Sequence, residues 1–255
     1  MFIFYPVIII IYTYRVRHKG GHITLRYTEY GDLVIMPGDN PHRIVDAMLE
    51  TNYSEEFCLA VDFSPEFIAG LMEAGFLVMS TSVPGSKGEP LYILLPKLHQ
   101  VRSALFFENL HIKKSIRRYL NRYELRVDED FDFIVQRCVE IHGADWLTPP
   151  LVAAIQFIRH TSEFSVRPTS FSLYRDGKLV AGEFGITSGR VYTSYSGYYD
   201  EGNAGTVQLI KTTEYLRDNG FTFFDLGMPL DYKGDLGALD IGPVEFVKWF
   251  RSGTQ

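Results

Sequence analysis

The chain has 255 residues, of which 46% are hydrophobic and 22% are charged, and its formal net charge at pH 7 is −6. This composition is typical of a globular protein with a sizeable core. Because phosphate binding depends on positive charge, the negative balance argues against attraction to nucleic acid over the whole surface. The only two cysteines, Cys58 and Cys138, lie in apolar runs. That placement favours buried thiols in a reducing, cytoplasmic environment and gives no disulfide framework.

The N-terminal segment raises the question of a membrane anchor. Residues Phe2 to Tyr14 include four consecutive isoleucines, but crossing a bilayer takes about 20 apolar residues. The charges follow the apolar run, whereas in a signal peptide they precede it. The content of Ile, Val and Tyr therefore favours a β-strand over an anchor, and we expect no membrane contact. The alternation of Ile23, Leu25 and Tyr27 with polar residues predicts further strands and turns up to about residue 52.

Capping residues and periodicity predict a series of helices along the chain. They are a helix opened by Ser64-Pro65-Glu66 and closed by Gly75, a basic helix after Leu110, Phe131 to Ile141, Pro150 to His160, and Thr206 to Asn219. Residues Val83 to Pro90, with two glycines and two prolines, are predicted to be a loop.

After Pro168 the hydrophobic period becomes two, which predicts strands. These are Phe171 to Tyr174, Leu179 to Ile186, Arg190 to Tyr195 and Phe221 to Leu226, with hairpin turns at Asp176-Gly177 and Ser188-Gly189. Strands and helices in this order predict an α+β protein with a mixed α/β sheet that needs helices on its faces.

Candidate site residues are densest between Tyr192 and Met228. Asp225 ends an apolar strand, where a carboxylate can accept or orient a proton, but it equally fits a solvated residue that caps the turn at Gly227. The small-residue loop Gly202 to Thr206 leads into a helix, where free N–H groups can receive an anion, or it is an ordinary turn. The sequence has no metal-ligand spacing, P-loop, dinucleotide fingerprint or Gly-x-Ser-x-Gly motif. Hydrolase, kinase and dehydrogenase functions are therefore disfavoured.

A local basic patch is present despite the negative net charge. Within fourteen residues, Glu124 alone opposes six cations, which are Lys113, Lys114, Arg117, Arg118, Arg122 and Arg126. Such a cluster is either a solvated surface or a contact for nucleic acid.

Several short motifs occur in a characteristic order from about Phe57 to Phe250. They are Ala60 to Glu66 with Glu73 to Phe76, Phe106 to Ser115, Trp146 to Pro149, Asp176 to Gly182, and Leu236 to Ala238. In their order and spacing they resemble the leucyl/phenylalanyl-tRNA–protein transferase family, with Asp225 on the aspartate of the family's Asp-Cys-Gln motif.

The resemblance implies an acetyltransferase (GNAT)-like C-terminal domain, residues 96–255, behind a small N-terminal α/β domain, residues 1–95. It further implies transfer of an amino acid from aminoacyl-tRNA to the exposed N-terminal amine of an acceptor protein. No metal and no nucleotide cofactor are implied, and we expect a monomer. The chemistry is aminolysis of an ester, in which the enzyme orients the reactants and handles a proton.

The resemblance also implies roles for individual residues. Asp225 would handle the proton or position the amine, and Trp146 would stack on the terminal adenosine of the tRNA, although a core tryptophan is the alternative. The tRNA contacts would further include Lys113, Lys114, Arg117, Arg118 and Asn203. The pocket for the transferred side chain would be lined by Tyr192, Leu209, Thr212 and Phe224.

The chain departs from the family pattern at several of these positions. Tyr195 replaces the family glutamate in the second predicted catalytic position, and Gly227 replaces the family glutamine. Leu77-Val78-Met79 stands in place of Phe-Pro-Trp, so a second ring is missing. In the pocket, Glu183 replaces an apolar residue and Gly197 replaces a methionine.

A carboxylate that faces an apolar side chain is costly unless it is paired. One hypothesis is therefore that Glu183 receives a cationic side chain, so that arginine or lysine is transferred. The alternative is that Glu183 points to solvent, since a strand exposes alternate side chains. Two other functions also remain open: acyl transfer from another donor such as an acyl-CoA, and a catalytically silent relative that binds tRNA or protein.

Overall fold

The computed structural model describes residues 2–4, 7–9, 11–18, 21–85 and 88–254. The chain forms two compact units. The first comprises residues 1–98 and 144–155, and the second comprises residues 99–143 and 156–255. Cys58 and Cys138 are both free and buried, as the sequence predicted. In the described part of the chain, no helix has the length and apolar character needed to cross a membrane.

The first unit combines short sheets with two helices. Its elements are β1 (Phe2–Phe4), β2 (Val7–Ile9), β3 (Ile11–His18), β4 (Gly21–Thr28), β5 (Leu33–Val34), α1 (Pro41–Glu50), β6 (Cys58–Leu59), α2 (Pro65–Glu73), β7 (Leu77–Pro84) and β8 (Pro90–Lys97). Strands β3 to β6 form one sheet in that order, while β1 pairs with β2 and β7 pairs with β8.

The predicted N-terminal strand and the helix after Ser64 are confirmed. The described residues between Phe2 and Tyr14 are in strands, and residues 5, 6 and 10 of that prediction lie outside the described residues. In α2, Ser64 is the N-cap, Pro65 opens the helix, and Gly75 follows the C-cap with a φ of 98°. The predicted loop from Val83 to Pro90 is shorter than expected, since strands β7 and β8 include both of its ends. Residues 86 and 87 lie outside the described residues.

Helix α1 corrects the prediction of strands and turns up to residue 52. Asn40 is its N-cap and accepts a hydrogen bond from the Arg43 backbone N–H at 3.1 Å, and Pro41 is the first helical residue. These start signals were present in the sequence. Ile44, Val45, Ala47 and Met48 form the buried face.

The second unit contains the larger sheet and most of the helices. Its elements are β9 (Arg102–Leu105), a 3-10 turn (Phe107–Asn109), α3 (Lys114–Leu120), β10 (Glu124–Val127), α4 (Phe131–His142), α5 (Pro149–Arg159, whose first residues belong to the first unit), β11 (Val166–Arg175), β12 (Lys178–Ser188), β13 (Val191–Tyr199), α6 (Ala204–Asp218), β14 (Phe223–Asp225), α7 (Asp231–Asp235), β15 (Leu239–Ile241) and α8 (Pro243–Thr254).

The second unit has a seven-stranded sheet in the order β10-β11-β12-β13-β14-β9-β15. Most neighbouring strands are antiparallel, but β13 and β14 are parallel and are connected through α6. Helices α4 and α6 both pack on strands β11 to β13. The predicted α+β class with a mixed sheet is therefore confirmed.

Most predicted elements of the second unit agree with the structure to within a few residues. Helices α4, α5 and α6 are confirmed, and Asn219 and Gly220 end α6. The turn at Asp176-Gly177 is confirmed by positive φ at both residues. The next turn is shifted by one residue to Gly189-Arg190, since β12 continues through Ser188.

Candidate functional site

Asp225 lies at the end of β14 and is fully enclosed. Its carboxylate is 0% exposed and accepts two hydrogen bonds from Arg102, one from Nε at 2.9 Å and one from Nη2 at 2.6 Å. Thr193 Oγ1 donates to Oδ2 at 2.8 Å, and the Gly227 backbone N–H donates to Oδ1 at 3.0 Å. The sequence left open that Asp225 is a solvated residue that caps the turn at Gly227. The capping bond is present, but Asp225 is buried and not solvated.

Arg102 is the unpredicted partner of Asp225. It is 1% exposed, its Nη1 lies 3.0 Å from His99 Nδ1, and its guanidinium stacks on the ring of Phe246 in α8 at 4.3 Å. A bidentate, hydrogen-bonded pair of this kind is costly to break from one side, because the remaining charge stays buried. The Arg102–Asp225 pair thus fixes the end of β14 and the turn that follows it.

The sheet separates the two groups of residues predicted to form the site. Phe224 belongs to an apolar cluster with Leu216 of α6, so its neighbour Asp225 points to the opposite face, toward α8. Tyr195 also lies away from α6, because its ring approaches that of Phe184 at 6.1 Å, and Phe184 packs on α4. The two predicted catalytic side chains therefore share one face.

The predicted pocket residues gather on the other face, against α6. Tyr192, Phe224 and Leu209 belong to one apolar cluster, and Glu183 lies near Thr212. Gly197 is the partner of Glu183 across β12 and β13. The structure thus brings together every residue that the sequence assigned to the side-chain pocket.

Glu183 is buried at 2% exposure, which rules out the alternative in which it points to solvent. Ser194 Oγ donates to its Oε2 at 3.0 Å, whereas Oε1 has no hydrogen-bond partner among the described residues. Burial raises the pKa of Glu183 to about 7, and the neighbouring Gln208, Ser194 and Thr212 offset that effect only in part. Glu183 is therefore able to change protonation state near neutral pH.

Lys233 is a buried cation whose charge interacts with both Asp225 and Glu183. It is 7% exposed, and its Nζ donates to the backbone carbonyls of Leu226 at 2.6 Å and Met228 at 2.8 Å. Burial lowers the pKa of Lys233 to about 8, partly offset by the charges of Asp225 and Glu183. Lys233 thus holds the turn after Asp225 from the α7 side.

The two central strands separate beside these residues. Pairing of β13 with β14 ends at Thr193 and Asp225, and β13 continues to Tyr199 with no strand on that side among the described residues. Tyr195 is the extra residue of a bulge, because Gly185 pairs with Ser194 and Phe184 pairs with Ser196. The turn on the β14 side includes Gly227, whose φ of 73° favours glycine. The opening is the gap between β13 beyond Thr193 and this turn.

The predicted basic patch is exposed in the second unit. Ile116 is buried on one side of α3, whereas Lys114, Arg117, Arg118 and Arg122 are exposed. Lys113, the N-cap residue, pairs with Asp235 at 2.6 Å. Arg126 lies outside the helix, in β10, where it pairs with Glu124 and Glu129. The patch available to a polyanion is therefore narrower than the sequence indicated.

Asn203 and Trp146 have different surroundings. Asn203 is exposed at the start of α6 and adopts a φ of 68° without a side-chain capping bond. Trp146 is half-buried in the first unit, and its carbonyl accepts a hydrogen bond from the Ser80 backbone N–H at 2.9 Å. The roles of both residues in tRNA binding stay predictions.

Sequence reasoning missed three buried residues of the site, namely Arg102, Gln208 and Lys233. All three are less than 10% exposed. A polar residue within an apolar stretch was the available signal for Arg102 and Gln208. No local pattern pointed to Lys233, because only the fold brings its ammonium to the carbonyls of Leu226 and Met228.

Comparison with known proteins places this site within a family. The model of the family "Leucyl/phenylalanyl-tRNA protein transferase" matches residues 104–251. The chain is 30% identical over 151 residues to the leucyl/phenylalanyl-tRNA–protein transferase of Pseudomonas entomophila (strain L48), covering 57% of this chain and 65% of that protein. It is also 30% identical over 157 residues to that of Pseudomonas aeruginosa PAO1, covering 59% and 67%. The match thus spans about two thirds of the length of these relatives.

Two solved structures are similar at lower levels. FemX covers 91% of this chain and 86% of its own, with 10% identity and a TM-score of 0.45. L-PGS from Bacillus licheniformis covers 95% and 90%, with 12% identity and a TM-score of 0.44. The family match contains β10 to β14, α6 and α7, and hence Glu183, Asp225 and Lys233, whereas Arg102 lies just before it. The chain belongs to the leucyl/phenylalanyl-tRNA–protein transferase family.

Proposed function

We propose that this protein transfers an amino acid from aminoacyl-tRNA to the N-terminal amine of an acceptor protein. The observation that carries the proposal is the family match over residues 104–251, which contains the opening between β13 and β14 and the buried residues Glu183, Asp225 and Lys233. Aminoacyl-tRNA and a protein with an exposed N-terminus are the two partners. The chemistry needs no further cofactor.

The reaction is aminolysis of the ester that joins the amino acid to the tRNA. The neutral α-amine of the acceptor attacks the ester carbonyl, an amide bond forms, and the C–O bond to the ribose breaks. The amine loses a proton and the ribose oxygen gains one. Rate enhancement comes mainly from holding the amine nitrogen next to the ester carbonyl carbon within the opening.

Asp225 has the surroundings of a positioning residue in this reaction. Its carboxylate is enclosed and accepts four hydrogen bonds, so it holds Thr193 and the Gly227 turn on the two sides of the opening. This enclosure supports the positioning role over direct proton transfer. Tyr195, in the bulge at the rim of the opening, is the candidate to contact the reacting groups.

We propose that the tRNA binds through the exposed cations of α3, with Lys113, Asn203 and Trp146 as further contacts. Exposed arginine and lysine side chains neutralise phosphates and make binding dependent on salt. A half-buried indole offers a face for a terminal base. The negative net charge of the rest of the chain favours binding that is confined to this patch.

We further propose that the GNAT-like arrangement expected for residues 96–255 is formed by the second unit, residues 99–143 and 156–255, and that residues 1–95 form the small α/β domain together with residues 144–155. The proposal is supported by the antiparallel strands β11 to β13, the bulge at Tyr195, and the parallel β13–α6–β14 connection. We also propose that the protein is a monomer and that it is cytoplasmic, since two buried, free cysteines suit a reducing compartment.

A catalytically silent tRNA-binding relative is the second candidate function. The observation that favours it is the complete engagement of Asp225 by Arg102, together with Tyr195 and Gly227 at positions where the family pattern has glutamate and glutamine. Such a protein would bind charged tRNA with the same salt dependence but would not turn over.

A transfer assay decides between the two. Charged tRNAs carrying a radiolabelled amino acid are incubated with the protein and a peptide that has a free N-terminal amine, with an N-acetylated peptide as the matched control. Label in the free peptide alone supports the proposed function. Retention of charged tRNA without labelled peptide contradicts it and supports the silent relative.

A further inference from the structure

We propose that Glu183 selects a donor whose amino acid carries a cationic side chain, so that arginine or lysine is transferred. This inference rests on the proposed function and names the substrate class of the same site. It depends on the surroundings of one buried carboxylate, on the access to it, and on the state of the nearest protein cation.

The carboxylate of Glu183 has unused hydrogen-bonding capacity. Oε2 accepts from Ser194, whereas Oε1 has no partner among the described residues and no exposure. A buried polar atom without a partner costs free energy comparable to a lost hydrogen bond. A ligand that donates to Oε1 would remove this cost, and a cationic donor would do so most strongly.

The nearest protein cation does not supply that donor. Lys233 interacts with Glu183 electrostatically, but its Nζ hydrogen bonds are to the Leu226 and Met228 carbonyls. Gln208 likewise donates its side-chain N–H to Thr212 Oγ1 at 2.9 Å. Among the described residues Oε1 thus has no hydrogen-bond partner, although Ser194, Gln208 and Thr212 all lower the pKa of the carboxyl.

The residue that pairs with Glu183 across β12 and β13 is Gly197, which has no side chain. Gly197 is exposed, and a Cβ at that position would lie 3.1 Å from the Cβ of Glu183. A larger side chain at 197 would therefore press on Glu183, whereas glycine adds no side chain beside it. On the same face of β13 the next side chain is that of Ser194, at the point where β13 leaves β14. We therefore place the entry of the donor side chain at Gly197 and Ser194, on the Glu183 side of the opening.

The rim near Glu183 is aromatic, which also suits a cation. Tyr199 is 65% exposed and Tyr232 is 50% exposed, and the pKa of Tyr232 is raised by burial and by the charges of Glu183 and Tyr199. Aromatic faces attract ammonium and guanidinium groups. An aliphatic side chain would instead place apolar atoms against a buried carboxylate that it cannot satisfy.

The test compares tRNAs charged with arginine, lysine, leucine and phenylalanine in the same peptide-transfer assay, using the wild type, Glu183→Gln and Gly197→Met. In addition, binding of argininamide, lysinamide and leucinamide is measured by calorimetry, which does not depend on turnover. Glu140→Gln removes one exposed carboxylate on α4 and is the matched control.

We expect transfer of arginine or lysine to exceed that of leucine by about 30-fold or more, the loss typical when one partner of a buried charge pair is absent. Glu183→Gln should abolish this preference, Gly197→Met should weaken binding of both cationic amides, and Glu140→Gln should change neither. Preferred transfer of leucine or phenylalanine would overturn the inference and leave the proposed function intact. If no charged tRNA gives transfer, the proposed function fails, and equal amide binding by wild type and Glu183→Gln then refutes the role of Glu183.

Discussion

The substitution Glu183→Gln should remove a specific dependence of stability on pH. The pKa of this carboxyl is raised from 4.5 to about 7 by burial, so between these two values the folded state binds more protons than the unfolded state. The protonated Glu183 therefore makes its full contribution to the unfolding free energy below about pH 4.5. This contribution declines as the pH rises and is lost above about pH 7. A shift of this size corresponds to roughly 3 kcal/mol, and Glu183 is 2% exposed, so solvent screening is small.

Urea denaturation at pH 5 and pH 8 measures this effect. The difference in unfolding free energy between wild type and Glu183→Gln should change by about 2 to 3 kcal/mol between these pH values, with the variant gaining relative stability at pH 8. Taking the difference between the two proteins removes the contribution of other titrating groups. Glu140→Gln, at an exposed carboxyl, is the control. An identical pH dependence for wild type and Glu183→Gln would refute the assignment of a buried, unsatisfied carboxylate.

Three further predictions test other parts of the site. Asp225→Asn should destabilise the protein by about 3–5 kcal/mol, since it leaves a buried guanidinium without its counterion; urea midpoints equal to wild type would contradict the ion pair. Trp146→Ala should weaken binding of charged tRNA by about 1–3 kcal/mol through lost stacking, while Trp249→Phe should leave it unchanged in a filter-binding assay. Arg118→Gln should reduce the slope of log affinity against log salt by about 1, and an equal reduction by Arg217→Gln would show that the contact is not local.

The helices of this protein were largely predictable because their signals are local. Ser64 and Pro65 start α2, and Asn219 and Gly220 end α6, and such caps depend on neighbours within a few residues. Helix α1 was missed although Asn40 and Pro41 mark its start, because the alternation that precedes it was extended too far. The elements after β14 were not predicted, although α8 carries local signals, since Pro243 begins it and Phe246, Val247 and Phe250 form its buried face at helical spacing.

The candidate site was predictable only in part. Asp225 stood out at the end of an apolar strand, and Glu183 and the pocket residues were identified through a resemblance, which gives positions along the chain but not their partners. Arg102 lies 123 residues from Asp225, and a pairing over that distance leaves no local trace in the sequence. The same limit applies to Lys233, whose partners are backbone carbonyls.

The sequence by itself determined the class of elements, their approximate ends and the family, because capping, periodicity and ordered motifs act over short spans. The tertiary structure decided which side of the sheet each candidate residue occupies and which charges are satisfied. It directed Asp225 toward Arg102 and left one oxygen of Glu183 without a partner. Burial and charge pairing are properties of the packed sheet and its helices, so they exist only once distant segments meet.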